Sequence, residues 1–458
     1  MNSWIETERL LAAIAVVLAY LGMCGFILWR HARKTGAVVG TPALDNKQDG
    51  VVVVAYASQT GCAEEIADNT ARQLTACGQR VMLLPLDAVD EERLRQCSAL
   101  LVVASTYGEG TAPDNGSSFE WKLRSWNDSS LSGLSYAVLA LGDSSYVHFC
   151  GFGRCLDEQL QRCGGQPLFP RIEVDEVDPR ALQAWTQAIG QWSQGDAYQA
   201  ASAGTAFQEW SLTSRIHLNP GSSGEALFLL KLAPATEQDL PVWEAGDLAL
   251  VLPPEGDGRA REYSIASVPE DGAIHLLVRV RRREDGQLGL ASDWLTRKVS
   301  LNEKVLLRVR RNSAFHLAEN ASRPLILIGN GSGFAGLRSH LKARERLGEG
   351  RNWLLFGERH PEHDGWCKDE INDWQRAKML ARADLVFSRA QSHKVYVQDK
   401  LRACADTLNE WIEQGAAIYV CGSLQGMAGS VDEALCELLG PARVRELKSE
   451  GRYRRDVY

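Results

Sequence analysis

The sequence predicts an α/β chain of several modules: an apolar anchor helix, a doubly wound open sheet, an antiparallel β-barrel and a second strand–helix alternating half. Three observations carry this. Apolar runs alternate with amphipathic stretches over residues 51–192 and again from Ser322 onward, as in parallel sheets covered by helices. Between them the hydrophobic period becomes two, with glycine and proline turns, as in small antiparallel barrels. At the start, Leu10 to Trp29 is an uncharged run of 20 residues, the length that crosses a bilayer core.

Composition sets the bounds. A chain of 458 residues makes several domains, and 45% apolar with 24% charged residues is an ordinary globular balance. The net charge of −8 argues against nucleic acid, which requires a basic face. Eleven cysteines, an odd number without a C-x-x-C pair, argue against a zinc site or a disulfide framework and for a reducing compartment.

Glu6 and Glu8 precede the apolar run, and Arg30, His31, Arg33 and Lys34 follow it. The positive-inside rule then places the remainder in the cytoplasm. Residues 1–34 are expected to be a single-pass anchor in the inner (cytoplasmic) membrane. Residues 35–49 read as a tether, rich in turn formers and without periodicity.

Residues 50–195 open on Val51 to Ala57, a β-branched run of the kind buried on both faces. Further strands are predicted at Leu100 to Ala104 and Tyr136 to Leu141. Helices are predicted at Cys62 to Ala76, Gly153 to Cys163 and Arg180 to Trp192. Ligands of such sheets bind at the carboxyl ends of strands, where three loops stand out. Ser58-Gln59-Thr60-Gly61-Cys62-Ala63 is a phosphate nest at a helix start, and without a P-loop lysine it suits a monophosphate. Ser105-Thr106-Tyr107-Gly108 and Leu141-Gly142-Asp143 through Tyr146 to Phe149 and Cys150 are the others. Tyr107 and Tyr146 offer rings to a flat aromatic ligand. This segment carries 10 Lys and Arg against 18 Asp and Glu, a formal −8. Two readings of that excess stand side by side: solubility, or an acidic rim that steers a basic partner.

Residues 196–206 are small and polar, and read as a linker. In residues 207–321, strands are predicted at Trp210 to Leu218, Ala226 to Leu232, Asp247 to Leu252, Ile274 to Val280 and Lys304 to Val309. Arg261-Glu262-Tyr263-Ser264 lies among them. Its arginine suits a diphosphate, its tyrosine a ring and its serine a hydrogen-bonding edge. Gly289-Leu290-Ala291-Ser292 opens a predicted helix and adds N–H donors. In residues 322–458, the strand Leu325 to Ile328 runs into Gly329-Asn330-Gly331-Ser332-Gly333, a glycine turn at a helix start that lets N–H groups reach a pyrophosphate. Ser388, Arg389, Lys394 and Tyr396 supply the cations and hydroxyls that a ribose 2′-phosphate needs, where an NAD site would place an acid. Cys421 ends the strand Ala417 to Val420.

Taken in order, Arg261-Glu262-Tyr263-Ser264, the glycine turn, Ser388-Arg389, Lys394-Val395-Tyr396-Val397-Gln398, Tyr419-Val420-Cys421-Gly422 and Gly451-Arg452-Tyr453-Arg454-Arg455-Asp456-Val457-Tyr458 resemble the diflavin reductases. That family joins a flavodoxin-like domain to a ferredoxin–NADP reductase module. It includes the flavoprotein of sulfite reductase, whose ending is similar to this one, and the NADPH–cytochrome reductases. The resemblance implies FMN on the three loops of residues 50–195, with Tyr146 stacked on its ring. It implies FAD on Arg261 to Ser264, Leu277, Val278, Arg279 and Gly289 to Ser292. NADPH would lie on Gly331, Ser332, Ser388, Arg389, Lys394, Tyr396 and Gln398. Ser264, Cys421 and Asp456 would assist hydride transfer, and Tyr458 would cover the flavin and swing away. No metal is implied.

The expected function is a membrane-anchored NADPH-dependent reductase passing electrons from NADPH to FAD to FMN, then singly to a haem or iron–sulfur protein, itself membrane-associated. The alternative is direct reduction of a small acceptor such as ferric chelate, quinone or free flavin. The sequence departs from the family in three places. Only Glu255 to Ala260 precede Arg261, where a large helical connecting domain is usual, which leaves the linker to hold the halves together. Asn330 and Gly336 replace common prolines, and Ser423 and Ser430 replace frequent acids.

Overall fold

The computed structural model describes residues 50–458 except 109, 194–205, 235–240, 257 and 284, and excepting the side chain of Gln425. The predicted anchor (1–34), the tether (35–49) and all but Ala206 of the linker (196–206) lie outside the described residues.

The first sheet is built from β1 (Val51–Ala57), β2 (Val81–Pro85), β3 (Cys97–Ser105), β4 (Ser135–Gly142), β5 (Gln166–Pro167) and β6 (Ile172–Asp175). Its order is β2-β1-β3-β4-β5, with β6 also on β4, and all pairs are parallel. The helices are α1 (Cys62–Ala76), α2 (Glu91–Gln96), α3 (Ser117–Ser125), α4 (Gly151–Arg162) and α5 (Pro179–Trp192). They bury both faces. Val53, Ala55, Leu100 and Val102 pack with Phe119 and Leu156, and Val52, Val54, Leu101 and Val103 pack with Ala67, Leu74 and Trp185. The buried Trp185 Nε1 donates to Thr70 Oγ1 at 2.9 Å, which satisfies the one polar atom such burial would otherwise strand.

The second sheet comprises β7 (Gln208–His217), β8 (Leu227–Pro234), β9 (Leu248–Leu252), β10 (Arg261–Ser264), β11 (Ile274–Arg279) and β12 (Lys304–Arg310). It is antiparallel, in the order β10-β9-β12-β7-β8-β11. A bridge between Ile265 and Leu276, and the Ala266 N–H donating to the His275 carbonyl, tie one edge to the other. Trp210, Leu230, Val251, Ile265 and Leu307 fill the interior. The helix predicted after Gly289 is a single turn, α6 (Leu290–Asp293), followed by a wider turn over Trp294–Lys298.

The third sheet is parallel, in the order β15-β14-β13-β16-β17. Its elements are β13 (Leu325–Asn330), α7 (Phe334–Leu347), β14 (Asn352–Glu358), α8 (Lys368–Arg376), β15 (Arg382–Phe387), α9 (Val397–Ala403), α10 (Ala405–Glu413), β16 (Ala417–Gly422), α11 (Gly429–Leu439), α12 (Pro441–Ser449) and β17 (Tyr453–Val457). The chain order therefore reverses at β13 and β16, the crevice where such sheets bind ligands. The glycines there have separate causes. A Cβ at Gly329 or Gly333 would collide with the Cys421 carbonyl oxygen, so glycine lets the turn press against β16. Gly331 takes φ +56°, the left-handed region open to glycine.

Two expectations are corrected here. Among the described residues no helix is long and apolar enough to cross a membrane. A span needs about 20 consecutive apolar residues, whereas the longest described helix, α1, has 15 residues with a polar face. No described helix supports the single-pass anchor, whose predicted residues 1–34 lie outside the described residues, and it is not carried forward. Nor does the linker alone join the halves, because the first sheet's loops contact the other two sheets directly.

Substituting Gly333→Ala drives a methyl into a backbone carbonyl and is expected to cost about 2 kcal/mol. Denaturant unfolding tests this, and a loss within ~0.5 kcal/mol, the usual scatter of neutral changes, would contradict it.

Candidate active site

Strand β17 builds the centre of the site. Its pairing with β16 sets Asp456 opposite Cys421. Ser264, at the end of β10 in the second sheet, points at the same carboxylate. Ser264 Oγ donates to Asp456 Oδ2 at 2.6 Å, and Cys421 Sγ lies 3.6 Å from that oxygen. All three residues are buried. Burial raises the Asp456 carboxyl from its ordinary 3.8 to about 6, although the bonds from Ser264 and Cys421 pull it down. Burial and the neighbouring Asp456 hold the Cys421 thiol well above its usual range, so it is a neutral donor. Residues 192 and 35 positions apart in the chain thus share one oxygen.

Tyr458 closes the chain over this centre. Its N–H donates to the Gly422 carbonyl, and its carbonyl accepts from the Leu424 N–H. Its hydroxyl lies 3.2 Å from Ser332 Oγ, and the residue is 55% exposed. The backbone is pinned to the neighbouring strand, and the side chain is tied to the glycine turn through its hydroxyl. Beneath the glycine turn, Arg279 donates to Glu358 Oε1 at 2.8 Å and to the Glu225 carbonyl. It thereby braces the second sheet against the third below Gly331, which it approaches closely.

Around the second sheet the candidate residues are divided in their roles. Arg261 bonds the Arg259 and Ala260 carbonyls, and Glu262 pairs with Arg310. Tyr263 packs against the sheet's interior. Leu277 and Val278 are core residues. Ser292 Oγ accepts from the Arg281 N–H and donates to the Gly289 carbonyl, so that hydroxyl shapes the Gly289–Ser292 turn. Leu290 and Ala291 belong to α6.

The three loops of the first sheet converge at the carboxyl ends of β1, β3 and β4, linked by the Thr106 N–H donating to the Leu141 carbonyl. Gly61, the N-cap residue of α1, takes φ +78° and has no side chain to cap the helix, the geometry of an anion nest. Burial pushes the Cys62 thiol up to about 11, so no thiolate opposes a phosphate there. Ser58 Oγ accepts from the Ala63 N–H, and Thr60 lies between Gln59 and Gly61 on the same turn. Thr106 Oγ1 and the Tyr107 hydroxyl are buried without a partner, two polar atoms that a bound hydrogen-bonding group would satisfy. Gly108 takes φ +51°. Asp143 accepts from Ser145, and Tyr146 is largely exposed on the third loop. Cys150, beside Phe149, packs under Gly142. The sequence expects both tyrosine rings to face a ligand, but Tyr107 sits under the Arg455 guanidinium, 5.4 Å from its ring centre. Its ring also packs on the core of the third sheet.

At the third sheet, Ser388 and Arg389 follow β15, and Lys394, Tyr396 and Gln398 lead into α9. Arg389 Nη1 donates to Ser223 Oγ at 2.9 Å, and that hydroxyl lies 3.4 Å from His360 Nε2. Lys394 and Tyr396 are exposed. Ser223 and His360 were invisible to sequence reasoning, because only the fold brings the loop after β7 to the end of β15. Asn115 was missed as well. Its Oδ1 accepts from the Ser58 N–H at 2.9 Å and holds the Ser58–Ala63 loop from a turn without a motif.

Residues 54–185 match the flavodoxin family, and residues 327–433 match the family described as oxidoreductase NAD-binding domain. The chain is 29% identical to the sulfite reductase [NADPH] flavoprotein alpha-component of Neisseria meningitidis serogroup C (strain 053442), over 566 aligned positions spanning 94% of each chain. It is 28% identical to that of Salmonella typhi over 93% of this chain and 92% of the relative. Identity to that of Bacillus subtilis (strain 168) is 27% over the same shares. The aligned stretches exceed this chain's 458 residues, so the relatives carry segments with no counterpart here. These relatives replace the membrane-anchored reductase as the functional reference, and the inner-membrane assignment is withdrawn with it.

Because the folded state raises the Asp456 carboxyl, it favours the protonated acid. This group's contribution to stability is full below its ordinary value and is lost as pH rises through about 6. Relative to Asp456→Asn, the protein is expected to lose about 3 kcal/mol between about pH 4 and about pH 7. Paired denaturation curves across that range check it, and a pH-independent difference would contradict it.

Proposed function

Because the chain belongs to the diflavin reductase family, we propose that it is the electron-donating flavoprotein of a two-component reductase, delivering electrons from NADPH to a separate haem protein. It is an NADPH-dependent flavoprotein oxidoreductase whose cofactors are FMN, FAD and NADPH. The observation that carries the reading is the meeting of Ser264, Cys421 and Asp456 across two sheets, above the glycine turn and under Tyr458.

The proposed division is residues 50–195 for FMN, 196–206 as linker, 207–321 as an FAD-binding antiparallel barrel and 322–458 for NADP(H). FAD and FMN, when bound, supply between them the conversion of a two-electron hydride into single electrons. The chain supplies the placement. Ser58 to Ala63 hold a phosphate monoester at the start of α1, and Thr106, Gly108, Gly142 and Tyr146 border the ring. Arg261, Tyr263 and the Gly289–Ser292 turn hold the second flavin's diphosphate side. Ser332 and the turn at Gly331 hold the dinucleotide's pyrophosphate, and Ser388, Arg389, Lys394, Tyr396 and Gln398 hold its adenosine end. Asp456 orients the Ser264 hydroxyl and the Cys421 thiol in a pocket closed to water. Tyr458 covers that pocket until its ring turns aside. The partner is inferred from the relatives' names, which describe one component of a sulfite reductase.

Arg389 is the cation best placed to read a 2′-phosphate, and a charge-assisted bond there is worth about 1.5–3 kcal/mol. Arg389→Ala is therefore expected to weaken NADPH binding roughly 10- to 100-fold and NADH binding little; 2′,5′-ADP affinity provides a readout independent of turnover. Equal losses for both nucleotides would overturn the assignment. Anaerobic titration of the purified chain with NADPH is expected to take up about four electrons, as two flavins require. Uptake of about two would remove the relay and favour direct reduction of a small acceptor.

A further inference from the structure

The first sheet meets the other two across a surface with charges of opposite sign. From the first sheet come Glu64, Glu65 and Asp114. Glu64 Oε2 accepts from Ser313 Oγ at 2.6 Å, and Glu65 pairs with Arg308. Asp114 takes a two-pronged pair from Arg455, whose Nε lies 2.8 Å from Oδ2, with Lys448 at 3.9 Å. Arg455 and Asp114 keep only 12% and 17% of their side-chain surface. Burial alone would raise the Asp114 carboxyl, but Arg455, with Lys448 and Gln59, holds it below its ordinary value.

Arg455 does more than neutralise a charge. Its guanidinium lies over the rings of Tyr107 and Tyr453, and its carbonyl accepts from Gln59 Nε2 at 2.8 Å. Gln59 also donates to Asp114 Oδ2 and accepts from the Asp114 N–H. Gln59 and Tyr107 stand in two loops of the first ligand site, and Arg455 immediately precedes Asp456. One residue thus touches the first site's loops and lies one peptide from the centre of the second. Between β9 and β10 the chain has only residues 253–260, and the relatives align over more positions than this chain contains. The described residues hold no further module bridging the sheets.

We infer that Arg455 is a positioning residue for electron transfer between the two flavin sites: with Asp114 it docks the flavodoxin-like part onto the strand that carries Asp456, a task that falls to side-chain pairing in this short chain. The inference rests on the two-flavin reading above. Exposed ion pairs contribute little, but a buried two-pronged pair stripped of one partner leaves a charge without solvent or counter-ion, so its loss opens the interface.

The test uses the full purified chain and the isosteric Asp114→Asn, with Arg455→Met as a second variant. Glu91→Gln serves as a control, since Glu91 pairs with Arg95 on its own helix away from this surface. X-ray scattering at low and high salt reports the docking without reference to turnover. Stopped-flow spectra report reduction of each flavin. Asp114→Asn is expected to enlarge the radius of gyration and to slow reduction of the second flavin roughly tenfold, with less than a twofold effect on the first. High salt is expected to shift the wild type in the same direction, and the control is expected to behave as wild type. Unchanged dimensions and unchanged second-flavin reduction in a folded Asp114→Asn, checked by its unfolding transition, would overturn the inference. A wild type that takes up only about two electrons would instead refute the two-flavin reading, and the scattering comparison would still decide whether the docking exists.

Discussion

The pairing of β17 with β16 is the constraint on which the rest of the site depends. Five residues at the end of the chain add a parallel strand to the third sheet, and its register fixes three things together. Asp456 falls opposite Cys421 and within reach of Ser264, Tyr458 arrives over the glycine turn, and Arg455 faces the first sheet. A slip of one residue would turn Asp456 out of the pocket, because strand side chains alternate faces. The buried carboxylate is costly in isolation. It persists because a serine hydroxyl from another sheet and a neutral thiol from the adjacent strand both approach one oxygen.

The glycines show how packing and binding can use the same residues for different reasons. Gly331 is required by its left-handed backbone, whereas Gly329 and Gly333 are required because a methyl would strike the Cys421 carbonyl. The glycine turn is therefore held against the Cys421 carbonyl of the neighbouring strand. The glycine turn and the Ser264–Cys421–Asp456 cluster meet at Cys421.

Much of this was legible in the sequence. The apolar runs Val51 to Ala57 and Leu325 to Ile328 announced parallel strands, and the period-two segments announced the antiparallel sheet. Ser264, Cys421 and Asp456 could be grouped through a resemblance, since nothing local links positions so far apart. The strand β17 was not read, because its charged Arg454 and Arg455 break the apolar signal of a buried strand while the fold pairs each with a remote group. The helix after Gly289 shrank to one turn because Ser292 closes back on Gly289. Ser223, His360, Asn115 and Asp114 carry no local signature, and tertiary contact alone gives them their roles. The uncharged run Leu10 to Trp29 suggested an anchor through length and flanking charge, and it lies outside the described residues.

The central claim is that the Ser264–Cys421–Asp456 cluster is where hydride leaves the nicotinamide. Its most direct test is the pH profile of the first hydride step from NADPH in a single turnover, comparing the wild type with Asp456→Asn. The account expects an inflection near 6 in the wild type, where the Asp456 carboxyl titrates, and its disappearance in the variant. An inflection that persists unchanged in Asp456→Asn would place the chemistry elsewhere.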